Sequence, residues 1–305
     1  MKKKMFILII LLSLFYILKY PTITVNAAAD GLVLWFEKVL PSLLPFSILS
    51  NVMIASNILP ALTGKIMPLL RIFMPVSDNG AFVLFSGFLF GFPMGSKNCA
   101  QLLQEQKLSF KEAEVLFIIT NNISPVFIQS YILKTQLQLD GYFGLSLLLL
   151  YLPPLITGKI LLSSAANNIC NHKKSASRSK INFQIVDAGI MNGFETLTKI
   201  GGYIMIFSIL ASCFSQMPLP DSVKICCIGF TELTNGIQAL SKSPLSLEKQ
   251  YILAMIFTAF GGISGLAQTS AMIKDTGLSM KKYLFWKIIL CIITGVLACI
   301  VIRFY

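Results

Sequence analysis

Four polar interruptions break otherwise apolar stretches of this sequence. They are GFPMGSK at residues 91–97, TNNISP at 120–125, GFTELTNG at 229–236 and FGGISGLAQTS at 260–270. Proline and glycine end helices and leave backbone N–H and C=O groups unpaired. A new helix that starts at such a point directs free N–H groups and a positive dipole end at the interruption, which suits an anionic ligand.

Glu232 is the sharpest candidate, because an ionisable side chain within an apolar stretch costs at least ~2.5 kcal/mol unless it is paired or faces water. Such a carboxylate could carry a proton or bind a cation. The alternative is a structural ion pair with Lys199 or Lys224.

The remaining candidates fall into two groups. The polar side chains that could contact a substrate or an ion are Thr231, Thr234, Asn235, Asn121, Asn122, Ser264, Gln268 and Lys97. The residues that could form hairpin tips or gates are Gly91, Pro93, Gly95, Pro125, Gly261, Gly262 and Gly265. Each has a structural alternative: small residues let membrane helices pack closely, asparagines cap kinked helices, and lysines extend to the membrane interface.

An enzyme is not indicated by any motif. GISG at residues 262–265 matches the G-x-S-G of rhomboid-type intramembrane proteases, but such a nucleophile needs a base within hydrogen-bond reach. The single histidine, His172, lies in a hydrophilic stretch. The seven cysteines form no C-x-x-C pair and lie mostly in apolar segments. We therefore expect no catalytic residue, no metal and no cofactor.

Composition indicates an all-α, polytopic membrane protein. Of 305 residues 55% are hydrophobic and 12% are charged, and several apolar stretches approach the 20 residues that cross a bilayer. The net charge of +12 is better explained by basic loops that orient the spans than by nucleic-acid binding. We expect an N-terminal membrane helix at 1–29, either retained or cleaved as a signal peptide.

Helix-sized apolar segments lie near residues 5–24, 39–59, 80–93, 114–133, 141–163, 197–217, 223–240, 250–272 and 283–303. If all of them span, the basic stretch NHKKSASRSK at 171–180 falls outside the cell, against the positive-inside rule. Two re-entrant hairpins, at 81–107 and 250–276, return this stretch and most other basic loops to the cytoplasm. The broken helices are then those at 120–125 and 229–236. Hairpins at membrane depth must line a watery cavity or be buried in protein.

The chain also reads as two related halves, at 30–165 and 183–305, joined by a basic cytoplasmic linker at 166–182. Residues 90–111 align with 260–281 at an offset of 170, sharing glycine spacing and an LS-x-K exit. A weaker echo joins FE and FSIL near residues 36–49 to the same letters near 194–210. Paired halves with interrupted helices are typical of secondary transporters. Whether the halves are parallel or inverted depends on whether 223–240 spans.

The motifs LPSLLPFSILSNVMI, GFPMGSKNCAQLL, TNNISPVFI, IGGYIMIFSIL, GFTELTNGI and GGISGLAQTSAMIKDTGLS, in this order, resemble the sporulation integral membrane proteins of the nucleoside-recognition, or Gate, domain family. The resemblance covers most of the chain from about 30 to 303. It implies a multi-pass protein in the mother-cell or outer forespore membrane of an endospore-forming bacterium. It also implies an association with movement of dipicolinic acid, and further sporulation membrane proteins as partners.

Two functions follow as hypotheses. The first is a transporter, or transport component, for a small anionic metabolite, with its site where the hairpins meet the broken helices and with Glu232 in ion or proton coupling. The second is a non-transporting membrane scaffold or signalling component that uses the same motifs for helix contacts. The expected partners are the lipid bilayer and a small anionic solute, and not nucleic acid.

Overall fold

A computed structural model describes residue 11 and residues 13–56, 58, 74–163 and 182–303. Regular structure in these ranges is helical throughout, which confirms the predicted all-α class. Five of the described helices are long and apolar enough to cross a membrane, among them Pro21–Ala55, Phe183–Ser215 and Leu247–Met272.

The first half begins with a helical stretch at 13–19 that a bend at Tyr20 separates from α1 (Pro21–Leu34). The later helices, in chain order, are α2 (Leu40–Ala55), α3 (Asp78–Phe90), α4 (Met94–Gln104), α5 (Phe110–Ile119), α6 (Pro125–Phe127) and α7 (Phe143–Ser163). A π-helical turn, Trp35–Val39, joins α1 to α2, and a π-helix, Ile128–Leu137, extends α6. A short 3₁₀ turn, Asp140–Tyr142, leads into α7.

The second half is built from fewer, longer segments. They are α8 (Phe183–Ser215), α9 (Asp221–Thr231), α10 (Leu233–Ser241), α11 (Leu247–Phe260), α12 (Gly262–Met272) and α13 (Met280–Val301). Serines begin several helices of the chain: Ser77 accepts a hydrogen bond from the N–H of Gly80 at 3.0 Å, and Ser109 and Ser279 cap α5 and α13 in the same way.

Two long helical segments, Pro21–Ala55 and α8, pack against each other in antiparallel directions along their lengths. Glycines of α8 admit this contact: a Cβ on Gly201 would lie 2.8 Å from the Trp35 ring, and one on Gly193 would lie 3.0 Å from Ile48. The indole N–H of Trp35 donates to the Leu197 carbonyl at 2.8 Å. Close approach at small residues is how membrane helices associate, so these glycines explain the tight packing of this pair, called here the long pair.

The described residues contain two helical hairpins, of which one lies where a re-entrant hairpin was predicted. Hairpin 1 is α3 and α4, which pack side by side with a tip at Gly91–Phe92–Pro93. Hairpin 2 is α9 and α10, with its tip at Glu232. Each arm of hairpin 2 has at most 11 residues, or ~16 Å of helix, which is too short to cross.

The prediction of a hairpin at 250–276 is wrong. Helices α11 and α12 follow one another as a single candidate span, Leu247–Met272, which is interrupted only at Gly261. Gly261 adopts a φ of 79° and Gly262 one of 72°, so the glycines redirect the chain locally without reversing it. The broken helix predicted at 229–236 is instead hairpin 2, because Gly229 and Gly236 let its two arms touch at the backbone.

Each half therefore contains a hairpin followed by a broken span and then a straight helix. In the first half these are hairpin 1, the α5–α6 segment broken at 120–124, and α7, which packs against both parts of the broken segment. In the second half they are hairpin 2, α11–α12 broken at Gly261, and α13. The alignment at an offset of 170 is thus wrong as a structural correspondence, since it pairs a hairpin tip with the break of a span.

The FSIL echo does correspond in the structure. Ser47 in α2 and Ser208 in α8 are the serines of the two copies, and their numbers differ by 208 − 47 = 161. Because the two helices run antiparallel, the halves are inverted relative to each other. The sequence had left open whether the halves are parallel or inverted, depending on whether 223–240 spans. In the structure this segment forms hairpin 2 and does not span, which gives the inverted arrangement.

The predicted linker at 166–182 lies outside the described residues except for Asn182, and residues 1–10 and 12 of the predicted N-terminal helix also lie outside them. The ends of α7 and α8 nearest the linker define one face of the molecule, called here the linker face. Lys274, Lys281 and Lys282 lie near this face, where the Lys282 ammonium contacts Glu114 at 2.8 Å. Lys242 and Lys249 lie at the opposite face, so the structure does not place all the basic loops on one side, as the two predicted hairpins would have done.

A labelling experiment separates these topologies. In a cysteine-free background, we expect Ser222→Cys and Ser246→Cys to react with an impermeant maleimide from one side, and Lys274→Cys to react only from the other. Ser222 and Ser246 flank a hairpin that does not cross, whereas a full span separates Ser246 from Lys274. Labelling of Ser246→Cys and Lys274→Cys from the same side would restore the hairpin at 250–276 and contradict the inverted arrangement.

Candidate functional site

The interruptions of both halves converge on a central cavity of about 60 Å³ beside the long antiparallel pair. Its polar groups come from α2, break 1 (residues 120–124), hairpin 2 and α12; they are Ser42, Ser124, Glu232, Thr234 and Gln268. Its apolar wall includes Phe90, Phe92 and Phe127, together with Val39, Leu43, Ile200 and Ile204 from the long pair. This volume holds a few water molecules.

Glu232 lies at the tip of hairpin 2 and is 4% exposed. Its carboxylate accepts hydrogen bonds from the Asn235 N–H at 2.9 Å and from the Thr234 hydroxyl, and so caps the N-terminus of α10. Neither proposed ion pair is present, because Lys199 pairs with Glu195 at 2.6 Å and Lys224 lies 4.0 Å from Asp221. A negative charge at a helix N-terminus is favourable, and here it has no cationic partner among the described residues.

Neighbouring contacts fix the tip of hairpin 2 to both halves. The Tyr131 hydroxyl, from the π-helix after α6, donates to the Thr234 carbonyl at 3.1 Å. The Asn235 amide donates to the Ser208 hydroxyl of α8 at 2.9 Å. Thr231 is buried, and its carbonyl oxygen would lie 3.2 Å from a Cβ on Gly262. Hairpin 2 therefore contacts the π-helix that follows break 1, the long pair and α12.

The tip of hairpin 1 rests on break 1. The Phe92 N–H donates to the Asn122 carbonyl at 2.7 Å, and Pro93 is the N-cap residue of α4. Gly91 has a φ of 81°, and a Cβ there would lie 2.6 Å from the Ser124 nitrogen. Both facts require glycine at this position, as only glycine combines positive φ with so close a backbone contact.

The side chains of Asn121 and Asn122 pair with the backbone of the last turn of α5. Their amides donate to the carbonyls of Phe117 at 3.0 Å and Ile119 at 2.7 Å. The Asn121 side-chain oxygen also accepts from the N–H of Ser96 at 3.0 Å and from its hydroxyl, which joins break 1 to hairpin 1. Pro125 starts α6, where its missing N–H is not needed. Neither asparagine lines the central cavity.

Helix α12 brings the remaining candidates beside the tips. The Gln268 amide donates to the Ser264 hydroxyl at 3.1 Å, and Gln268 alone of this pair lines the cavity. A Cβ on Gly265 would lie 3.3 Å from the Phe92 ring of hairpin 1. Because Gly262 faces hairpin 2 and Gly265 faces hairpin 1, α12 starts between the two tips.

Lys97 lies in α4, away from the cavity, and its ammonium is 3.4 Å from the Ser47 hydroxyl of α2. Gly95 admits this part of hairpin 1 against break 1, since a Cβ there would lie 2.8 Å from the Thr120 hydroxyl. The Lys97–Ser47 contact joins hairpin 1 to one long helix, as the Asn235–Ser208 contact joins hairpin 2 to the other.

Two wider, more polar cavities flank the central one along the long pair. The cavity towards the linker face has about 240 Å³ and is lined by Asn51, Gln101, Asn182, Gln184 and Asn192, among others. The cavity towards the opposite face has about 400 Å³, and its polar lining includes Asn26, Asp30, Ser212, Gln238 and Lys242. Hairpin 1 borders the first through Gln101, and hairpin 2 borders the second through Gln238 and Lys242.

Sequence reasoning missed several residues of this region. Ser47 and Ser208 were within the FSIL echo, and their shared motif was the available signal. Tyr131 and Phe92 carry no signal apart from closeness to an interruption. Lys287, which is 4% exposed in α13, is a charged residue within an apolar run and could have been found by the argument that selected Glu232. Among the described residues, no group of three or more His, Cys, Asp or Glu side chains is placed to hold a metal.

Comparison with known proteins first defines the class. The sequence model of the Gate family, described as nucleoside recognition, matches residues 36–136. This range includes α2, hairpin 1 and break 1, so the chain is a polytopic membrane protein in which these elements are similar to the Gate family.

One relative gives a more particular match. The chain is 26% identical to the sporulation integral membrane protein YlbJ of Bacillus subtilis (strain 168), with 88% of this chain and 74% of that protein covered. The resemblance drawn from the motifs is therefore confirmed. No solved structure matches the chain.

The contact between hairpin 1 and break 1 gives a stability test. We expect Gly91→Ala to destabilise the detergent-solubilised protein by about 1–3 kcal/mol, because alanine is strained at positive φ and its Cβ meets the Ser124 backbone. Thermal unfolding measures the effect. The matched control is Gly202→Ala, where a Cβ meets nothing within 4 Å and a neutral or slightly stabilising change is expected. Equal unfolding temperatures for the two variants would contradict the packed tip.

Proposed function

We propose that this chain is a transporter, or the membrane-embedded component of one, that moves a small anionic metabolite during sporulation. Dipicolinic acid, crossing the outer forespore membrane, is the candidate substrate. The proposal rests on one geometrical observation, which is the line of three cavities along the long antiparallel pair.

The three cavities form an interrupted path between the two faces. The central cavity touches Leu43 and Ile204, and the next contacts outward on each side are Ser47 with Lys97 and Ser208 with Asn235. Each serine follows its cavity residue by four positions, one helical turn further from the centre (43 + 4 = 47; 204 + 4 = 208). These two polar contacts, called here the latches, separate the central cavity from the wider cavities. Latch 1 is Lys97 with Ser47, and latch 2 is Asn235 with Ser208.

This arrangement suits alternating access. A hairpin that withdraws from its serine would join the central cavity to the polar cavity of one face, while the other hairpin stays in place. Both hairpins approach the middle from opposite faces, so the same movement in each half would open opposite sides. With both latches formed, the central cavity of about 60 Å³ is too small for a dicarboxylate, so binding requires at least one hairpin to move.

Anion binding is supported by the ends of the short helices. Helices α6, α10 and α12 all begin beside the cavity, and α12 has no side-chain cap. The N-terminus of α10 is occupied by the carboxylate of Glu232. Neutralising or displacing this carboxylate would free the N–H groups for a substrate carboxylate, which assigns Glu232 to coupling rather than to permanent substrate contact.

The sporulation role is supported by the relative, whose name places it in that process. Dipicolinic acid is a small dicarboxylate, so its charge fits helix N-termini and the lysines that lie on the path, Lys97 and Lys242. The first experiment compares the acid content of spores and mother cells in a deletion strain. Acid that is made but left in the mother cell supports transport, whereas normal loading removes this substrate and favours a scaffold or another solute.

Glu232→Gln tests the coupling role in the same strain. We expect the variant to insert normally but to lower spore dipicolinic acid by about tenfold or more, because the amide cannot exchange charge and caps α10 more weakly. The acid content per spore, with membrane abundance by immunoblot, is the measurement. Glu248→Gln, on the exposed start of α11, is the control. Full loading in Glu232→Gln spores contradicts coupling at this residue.

Cross-linking tests the latches directly. In a cysteine-free background, we expect oxidation of the pair Ser208→Cys with Asn235→Cys to stop uptake of labelled dipicolinate into vesicles, and a reductant to restore it. Ser208→Cys alone should be insensitive to oxidation. Uptake that persists after complete cross-linking would show that hairpin 2 does not move during transport.

A further inference from the structure

Lys287 is a buried positive charge that the proposed path does not use. It lies in α13, is 4% exposed, and its ammonium donates to the Asn121 carbonyl at 2.6 Å. No carboxylate of the described residues forms an ion pair with it, and it does not line the central cavity. A lone charge at this depth requires compensation from elsewhere.

Break 1 supplies that compensation. Helix α5 ends here, and the carbonyl end of a helix carries a partial negative charge of about half an electron. The carbonyls around the break have separate donors: Phe117 and Ile119 accept from asparagine amides, Asn122 from the Phe92 N–H, and Ile123 from the Tyr151 hydroxyl at 2.7 Å. The Asn121 carbonyl is the one that accepts from a full charge.

We infer that break 1 is a binding position for a small monovalent cation, and that the Lys287 ammonium is its permanent, tethered occupant. Unwound carbonyls and half-helix C-terminal ends are the groups that bind a free monovalent cation in membrane proteins with broken helices. Here α13 supplies the cation instead. The assignment needs no transported solute, so it stands or falls independently of the proposed function.

The second half explains why the lysine occurs once. Its break is a single glycine, Gly261, whose own N–H still pairs with the Phe257 carbonyl at 2.8 Å. The Ile256 carbonyl near this break accepts from the Cys291 thiol at 3.4 Å, which is a neutral donor. The carbonyl beside the break of the second half is therefore paired with a neutral donor, whereas the Asn121 carbonyl at break 1 is paired with a charged one.

The test removes the tethered ammonium and offers free cations. The variants Lys287→Ser and Lys287→Met are purified, and thermal unfolding is followed in choline, sodium, potassium and methylammonium chlorides at equal ionic strength. We expect Lys287→Ser to be less stable in choline and to gain about 3 °C or more in a small cation at tenfold excess over its dissociation constant. Lys287→Met fills the space with a neutral side chain, so it should be destabilised and unresponsive.

The control is Lys282→Ser, which removes an exposed lysine of the same helix. Wild type and this control should respond alike to all four salts. A folded Lys287→Ser with no cation-specific shift, or a wild type with an equal shift, overturns the inference. If Lys287→Ser does not accumulate, Lys287→Gln decides: its amide can donate to the Asn121 carbonyl without a charge. Wild-type stability in that variant would show that the hydrogen bond alone is required.

Discussion

Backbone groups that lose their helical partners at membrane depth must find new ones within the protein, because lipid offers none. The arrangement of this chain follows from that requirement. Break 1 frees several carbonyls, and asparagine amides, the Phe92 N–H, the Tyr151 hydroxyl and the Lys287 ammonium each take one. These donors come from break 1 itself, hairpin 1, α7 and α13. The interruption therefore joins four separate elements. Its position in the sequence is constrained because each of these elements supplies a donor to a particular carbonyl.

The two halves solve the same problem with different chemistry. In the first half a proline and two asparagines interrupt the span, and a lysine neutralises the helix end. In the second half glycines with positive φ interrupt it, and the hairpin tip carries a carboxylate that caps its own helix. The two halves share an architecture but carry different charges. Lys97 lies in hairpin 1 and Lys287 contacts break 1, whereas Glu232 lies at the tip of hairpin 2. The centre of the protein is thus electrically asymmetric although its two halves contain the same series of elements.

Much of the fold could be predicted from sequence. Hydropathy and length indicated a polytopic helical protein, and glycine and proline marked each interruption within a few residues. The assignment of hairpin and broken span in the second half failed, because both show an apolar run with a polar break. What separates them is whether the arms touch. In hairpin 2 the arms touch at Gly229 and Gly236. Two glycines seven residues apart do not by themselves predict that a chain reverses.

Sequence reasoning identified several residues that lie at the central cavity, but it did not identify the partners that most of them contact. Glu232, Thr234 and Gln268 line the central cavity, since an isolated polar side chain in an apolar stretch must face a polar space or a partner. Asn121 and Asn122 serve the backbone instead, because a break of five residues leaves carbonyls close to their amides. The partners on the long pair, Ser47 and Ser208, come from distant parts of the chain, and their repeated FSIL setting was the accessible clue.

The inverted halves have a consequence for how the protein enters the membrane. Each half contains the same series of elements, so neither has an intrinsic preference for one face, and hydrophobicity alone does not distinguish the two orientations. The asymmetry lies in the loop charges, above all in the basic stretch between the halves. We therefore expect the orientation of both hairpins in the membrane to depend on a basic segment of the sequence that lies between the two halves. On this expectation, loop charges set the orientation once, during insertion, and the side chains of the central cavity do not influence it.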